Sequence, residues 1–153
     1  EFGHSFAGLG DEYYASPVAY NEFYQKGVEP WEPNIASNIS RSSLKWNDMV
    51  KTQTALPTPW NKVVYDSMEN ERGKLKRDTP GYAEKRQAIL DAERSVLEDK
   101  QLAGTVGAFE GAGYSSTGLF RPSLDCRMFS LSLTDFDPVC MRAINRMIDF
   151  YTK

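Results

Sequence analysis

Histidine and cysteine are scarce in this sequence of 153 residues. It has one histidine, His4, and two cysteines, Cys126 and Cys140. Two cysteines without a nearby histidine are too few for a closed structural zinc site. No apolar stretch approaches the roughly 18 residues needed to cross a bilayer, so the sequence predicts no transmembrane segment.

The charge balance argues against nucleic acid as a partner. The chain has 18 Lys and Arg against 21 Asp and Glu, a net charge of −3, with no dense basic run, so we expect no binding to nucleic acid. With 41% hydrophobic residues the chain can bury one core, and we expect residues 1–153 to form one domain or most of one. The first residues lack the charged and apolar regions of a signal peptide, so an export signal is expected upstream.

The first four residues, Glu-Phe-Gly-His, carry the strongest chemical signal. A histidine immediately before Glu1 would complete the motif His-Glu-x-x-His. Residues four apart lie on one face of a helix, so two imidazoles can hold one zinc ion while the glutamate reaches the metal-bound water. We therefore predict His4 as a zinc ligand and Glu1 as the general base.

The residues that follow predict a third ligand. Gly8 and Gly10 permit the turn by which metzincin-type peptidases bring a further ligand to the metal, but the usual histidine position falls on Gly10. Asp11 is the next candidate, because a carboxylate oxygen is an acceptable zinc ligand. Glu12 is the alternative, and Glu12 or Tyr13 could instead orient the ligating carboxylate.

Two segments resemble a known family. Residues 1–14 resemble the signature of the IgA-peptidase-type bacterial metallopeptidases, His-Glu-Phe-Gly-His-Ser-Phe-x-Gly-Leu-x-Asp-Glu-Tyr, everywhere except at the absent first histidine. The second segment comprises residues 110–114, 120–122, 125–128 and 138–140. Together the two segments bracket most of the chain.

The resemblance implies an α+β fold, the zincin (metzincin-like) catalytic domain. This chain would be its mostly helical and loop-rich carboxy-terminal part, packed on an upstream part that supplies the sheet. Met128 would lie in the methionine turn beneath one Zn²⁺. The family resemblance further implies a secreted or surface-attached endopeptidase that acts on protein or peptide substrates, with immunoglobulin A and other host glycoproteins as candidates.

The pattern along the chain predicts five segments. In order they are an active-site helix end and ligand turn (1–17), a proline-interrupted loop region (18–78), a helix (80–102), a glycine-rich segment with the methionine turn (104–130), and a helix (138–151). Asp137 and Pro138 are a typical N-cap and first residue of the last helix. Trp31 and Trp60 in the loop region either seal a surface layer or line the substrate cleft.

Three further side chains have competing interpretations. Tyr114, which by resemblance flanks the cleft, could donate its proton to the carbonyl oxyanion, bind the metal transiently, or make a structural hydrogen bond. In an exported protein, Cys126 and Cys140 would form a disulfide whose loop is worth roughly 3 kcal/mol; buried free thiols or a zinc pair are the alternatives.

The predicted activity is zinc-assisted peptide hydrolysis with Glu1 as the base that accepts the proton of water. No acyl-enzyme is expected, because the nucleophile is water. The competing hypothesis is a non-catalytic protein-binding module with a degenerate or structural metal site. The residue that precedes Glu1 discriminates between the two.

Overall fold

A computed structural model describes residues 1–14, 23–130 and 135–153. Within these ranges the fold is α+β. Its elements are α1 (Phe2–Ala7), a 3-10 turn (Asn47–Met49), α2 (Lys62–Lys74), α3 (Tyr82–Leu97), β1 (Phe109–Ala112), β2 (Ser115–Arg121) and α4 (Pro138–Thr152). The end of the predicted ligand turn, up to residue 17, lies outside the described residues.

The chain forms two compact units. The first comprises Glu1–Pro59 with Gly104–Lys153, and the second comprises Trp60–Ala103. His4, Asp11, Tyr114 and Met128 all belong to the first unit. None of the helices in the described ranges has the length and apolar composition that a membrane crossing requires.

The second unit is a pair of packed helices, α2 and α3. Arg72 of α2 donates from Nε to Glu93 Oε1 of α3 at 3.0 Å. The sequence analysis placed α2 in a loop region, since this stretch has no marked apolar stripe and even Val63 is 83% exposed. Helix α3 begins at Tyr82 and not at Pro80, because the Tyr82 N–H donates to the Thr79 carbonyl and closes a turn before the helix.

The glycine-rich segment of the first unit is a β-hairpin. β1 and β2 are antiparallel, with Phe109 opposite Arg121 and an irregularity at Gly111. Gly113 and Tyr114 form the two-residue connection, and both have positive φ angles, 55° and 63°. Two positive φ angles are the geometry of the tight hairpin turns that match strand twist. The sequence analysis predicted no strands here, because frequent glycine is unfavourable in strand interiors.

Helix α4 lies in the first unit and packs against α1. Asp137 caps it: one carboxylate oxygen accepts hydrogen bonds from the N–H groups of Val139 (2.7 Å) and Cys140 (3.0 Å). The helix ends at Thr152, one residue beyond the predicted range. Its buried Val139 joins the apolar cluster that contains Trp46.

Candidate functional site

The site is built where α1 ends. His4 lies in the last turn of α1, and Gly8 follows that helix in the left-handed conformation, with φ of 61°. The N–H groups of Gly8 and Leu9 donate to the carbonyls of His4 and Gly3, both at 3.1 Å, which closes the helix end. The reversed chain then brings Asp11 Oδ1 to 3.0 Å from His4 Nε2.

The hydrogen bonding of His4 favours a metal ligand. Its Nδ1 lies 2.7 Å from the Leu9 carbonyl oxygen, which can only accept, so Nδ1 carries the hydrogen. In neutral imidazole, Nε2 then presents a lone pair to the Asp11 carboxylate. Nε2 and the Asp11 oxygen are both acceptors, so at 3.0 Å they need a proton or a cation between them. A backbone carbonyl on the other ring nitrogen is the usual outer partner of a histidine that binds a metal. The donor set therefore fits a divalent cation.

Tyr114 holds the second oxygen of Asp11. Its hydroxyl donates to Asp11 Oδ2, and the Tyr13 hydroxyl donates to Tyr114 Oη at 3.3 Å. The backbone supports this contact, because the Gly113 N–H donates to the Asp11 carbonyl at 2.9 Å and the Tyr114 N–H to the Tyr13 carbonyl at 3.1 Å. Burial, with the neighbouring Asp11 carboxylate, raises the pKa of the Tyr114 phenol, so it remains a donor.

Asn34 is a site residue that the sequence analysis missed. Its Oδ1 accepts from the Gly10 N–H at 2.8 Å, and its Nδ2 donates to the Gly10 carbonyl and to Glu12 Oε1, both at 2.9 Å. The side chain is fully buried. It thus fixes the backbone of Gly10 before Asp11 and the side chain of Glu12 after it. An asparagine in a proline-rich loop gives no local signal of this role.

Glu12, the alternative third ligand, points elsewhere. It is fully buried, and its Oε1 accepts from Asn34 and from Cys140 Sγ, the latter at 3.2 Å. Burial, with the nearby Cys126 and Asp137, raises the pKa of this carboxyl group well above its ordinary value. Asp11 is the carboxylate that faces His4.

The segment around Met128 lies beneath α1. A Cβ added at Gly3 would lie only 2.8 Å from Met128 Sδ, so the thioether packs directly on the helix backbone next to His4. The Met128 carbonyl accepts from the Glu12 N–H at 2.9 Å. The Met128 side chain is buried and packs beneath α1. Its part in a methionine turn stays a prediction.

The predicted disulfide is not formed. Cys126 and Cys140 are free and buried, with their Sγ atoms 3.9 Å apart, whereas a disulfide requires about 2.05 Å. Both thiols lie against Glu12 and Asp137, where the four side chains bring their ligand atoms within 4.8 Å of one another.

Glu1 is exposed at the N-cap position of α1. It precedes His4 by three residues, which places both on one side of the helix.

Among the tryptophans, Trp31 is 77% exposed and its ring packs over Gly8 at the site, whereas Trp60 belongs to the second unit and contacts the Tyr65 ring. Trp31 is therefore the tryptophan next to the candidate site.

The comparison with known families agrees with this geometry. Residues 1–148 match the model of the family described as IgA Peptidase M64. The match spans both segments from which the resemblance was drawn and confirms it. A comparison with curated proteins finds no match. With nearly its whole length matched, the chain belongs to the IgA Peptidase M64 family of peptidases.

Proposed function

We propose that this chain carries the metal centre of a zinc endopeptidase of the zincin class, with Glu1 as the general base. The metal ligands in this proposal are His4, Asp11 and a histidine immediately before Glu1. The observation that carries it is the approach of Asp11 Oδ1 to within 3.0 Å of His4 Nε2, while the Leu9 carbonyl holds the opposite ring nitrogen. In the proposal, this arrangement would supply two of the three protein ligands of a catalytic zinc site.

When bound, Zn²⁺ would supply Lewis acidity that lowers the pKa of a water and polarises the scissile carbonyl. Glu1 would accept the proton of that water at its carboxylate and deliver it to the leaving amine. It lies at the start of α1, three residues before His4 and on the same side of the helix.

Tyr114 would act mainly on Asp11. Its hydroxyl is engaged by the carboxylate, so it orients the ligand and leaves Oδ1 for the metal. A Tyr114 hydroxyl released from Asp11 could instead donate to the carbonyl oxyanion of the substrate. The two roles make different predictions for metal affinity, which are tested below.

For the substrate we propose a class of protein and not a single molecule. The family description names immunoglobulin A, and we propose a protein substrate of the host surface or secretions, cleaved outside the bacterial cell. Trp31 beside Gly8 offers an exposed aromatic ring next to the metal centre for contact with an extended peptide.

The test compares the full-length protein with four variants: Glu1→Gln, His4→Ala, Asp11→Asn and the matched control Asp149→Asn, an exposed carboxylate on α4. Zinc per chain is measured by mass spectrometry, and cleavage is measured on a peptide library. We expect Glu1→Gln to keep its zinc and lose about 10²- to 10⁴-fold in rate. The ligand variants lose zinc and activity together, and the control changes neither.

Equal turnover by the wild type and Glu1→Gln would remove the proposed base. Undetectable cleavage by the wild type with zinc bound would support the alternative, a protein-binding module with a structural metal site.

A further inference from the structure

We propose a second, closed metal site in this protein, in which Glu12, Cys126, Asp137 and Cys140 hold a thiophilic divalent cation such as Zn²⁺. Their ligand atoms lie within 4.8 Å of one another and all four residues are buried. The two cysteines alone are too few for a closed zinc site, but with the two carboxylates the cluster offers the four ligand atoms that tetrahedral zinc takes. The inference concerns side chains other than His4 and Asp11, and it does not depend on the proposed peptidase activity.

The sulfur separation has the value that a shared metal ion imposes. The Sγ atoms are 3.9 Å apart. Two thiolates that bind zinc tetrahedrally at about 2.3 Å are separated by about 3.8 Å, whereas a disulfide brings them to about 2.05 Å. The backbone therefore presents the two cysteines at metal-sharing distance.

Each carboxylate offers an unused oxygen. Glu12 Oε1 and Asp137 Oδ1 accept hydrogen bonds from Asn34 and from the start of α4, so both side chains are fixed. Glu12 Oε2 and Asp137 Oδ2 are buried and have no hydrogen-bond partner among the described residues. Buried oxygens of this kind are normally satisfied, and a cation between them would satisfy both.

Backbone donors around Cys126 favour a thiolate. The N–H groups of Met128 and Asp137 point at its Sγ, at 3.5 and 3.4 Å. Such N–H···S contacts, together with the N-terminus of α4, offset part of the negative charge that two thiolates and two carboxylates would concentrate there.

The site would join three parts of the first unit. Asp11 and Glu12 are neighbours in the chain, but their side chains have different partners: Asp11 faces His4, and Glu12 faces the cysteines. Cys126 precedes Met128, and Cys140 lies in the first turn of α4. A bound cation would cross-link the ligand turn, the Met128 segment and α4.

The first experiment uses the full-length protein, isolated without reductant and freed of metal by a chelator. Free thiols are counted after denaturation, and the native protein is then titrated with Co²⁺ while the thiolate-to-cobalt charge-transfer absorption is followed. Imidazole and carboxylate ligands do not give this band. We expect Cys126 and Cys140 to be free thiols, as located by alkylation and peptide mapping, and we expect a charge-transfer band in the wild type.

The variant His4→Ala separates the two sites. It should keep the full charge-transfer band, whereas Cys140→Ser should lose it, with circular dichroism as the check on folding. The wild-type reading does not depend on any variant folding. A disulfide between Cys126 and Cys140, seen as a linked peptide whose mass is lower by two hydrogens, would overturn the proposal. So would a wild type in which both thiols are free and no charge-transfer band forms.

Discussion

The hydroxyl of Tyr114 donates a hydrogen bond to Asp11 Oδ2, although 103 residues separate the two in the chain. The other oxygen of the same carboxylate faces His4 Nε2 at 3.0 Å. Asp11 is thus held on one side by a hairpin and presented on the other to an imidazole. Tyr114 adopts a positive φ of 63°, which is unfavourable for a tyrosine, so the surrounding contacts must hold it in place.

We expect Tyr114→Phe to weaken zinc binding about 10- to 100-fold, because the substitution removes the hydrogen bond that orients Asp11. Competition with a chromophoric chelator measures the effect. Tyr13→Phe is the matched control, since it removes the 3.3 Å hydrogen bond to the Tyr114 hydroxyl, leaves the hydroxyl of Tyr114 in place and should change affinity little. If Tyr114→Phe lowered the cleavage rate at unchanged metal affinity, the hydroxyl would act on the substrate and not on Asp11.

We expect Asn34→Ala to lower the free energy of unfolding by about 2 to 4 kcal/mol, since the buried N–H and C=O of Gly10 lose their partners. Asn34→Asp should be no better, because a carboxylate cannot donate to Gly10 or Glu12. Urea unfolding measures both. Asn38→Ala, an exposed asparagine that accepts one hydrogen bond from the Ser40 N–H, should cost less than about 1 kcal/mol. Equal losses at the two positions would contradict the bracing role of Asn34.

Gly113→Ala and Gly118→Ala form a matched pair in the hairpin. Both glycines have positive φ, 55° and 78°, so both substitutions incur backbone strain of about 1 to 2 kcal/mol. At Gly118 a new Cβ meets open space, whereas at Gly113 it would lie 2.4 Å from Tyr24 Cε2. Gly113→Ala should therefore lower the free energy of unfolding by about 1 to 3 kcal/mol more than Gly118→Ala does, as measured by urea unfolding. A smaller loss at Gly113 would show that Tyr24 gives way.

The pair of Asp48 and Arg142 predicts a pH dependence. Arg142 Nη1 lies 2.7 Å from Asp48 Oδ2, and its hydrogen bond holds the pKa of that carboxyl below the ordinary 3.8. A carboxyl group whose pKa is lower in the folded state stabilises the fold at pH values above its ordinary pKa. This contribution is lost as the pH falls through the folded-state pKa. The stability difference between the wild type and Asp48→Asn should therefore be positive at about pH 7 and shrink as the pH falls below the ordinary value of 3.8.

The side chain of Asp48 is 68% exposed, so solvent screens the interaction and added salt should shrink the difference further. Asp149→Asn on α4 serves as the control and should show no such trend. A difference that grew on acidification would contradict the sign of the shift.

Local patterns predicted the elements whose signal is periodic. Helix α4 was predicted from the Asp137 cap and Pro138. Helix α3 was predicted from residue 80 to residue 102, and turns at Thr79 and Asp99 move its two ends inward. Helix α2 was missed because exposed polar residues dominate both its faces. The hairpin was missed because its glycines, which permit the bulge and turn, are unfavourable in strands.

The sequence by itself determined what lies within about ten residues of His4: the helical spacing of Glu1 and His4, the glycine turn after α1, and the acidic residue that follows. These relations depend on backbone geometry, which residue type and spacing dictate. Only the tertiary structure decided that Tyr114 and Asn34 brace Asp11, and that Glu12 faces the cysteines across 128 residues of chain. Contacts between distant segments arise from how the packed elements meet, and no local pattern records that.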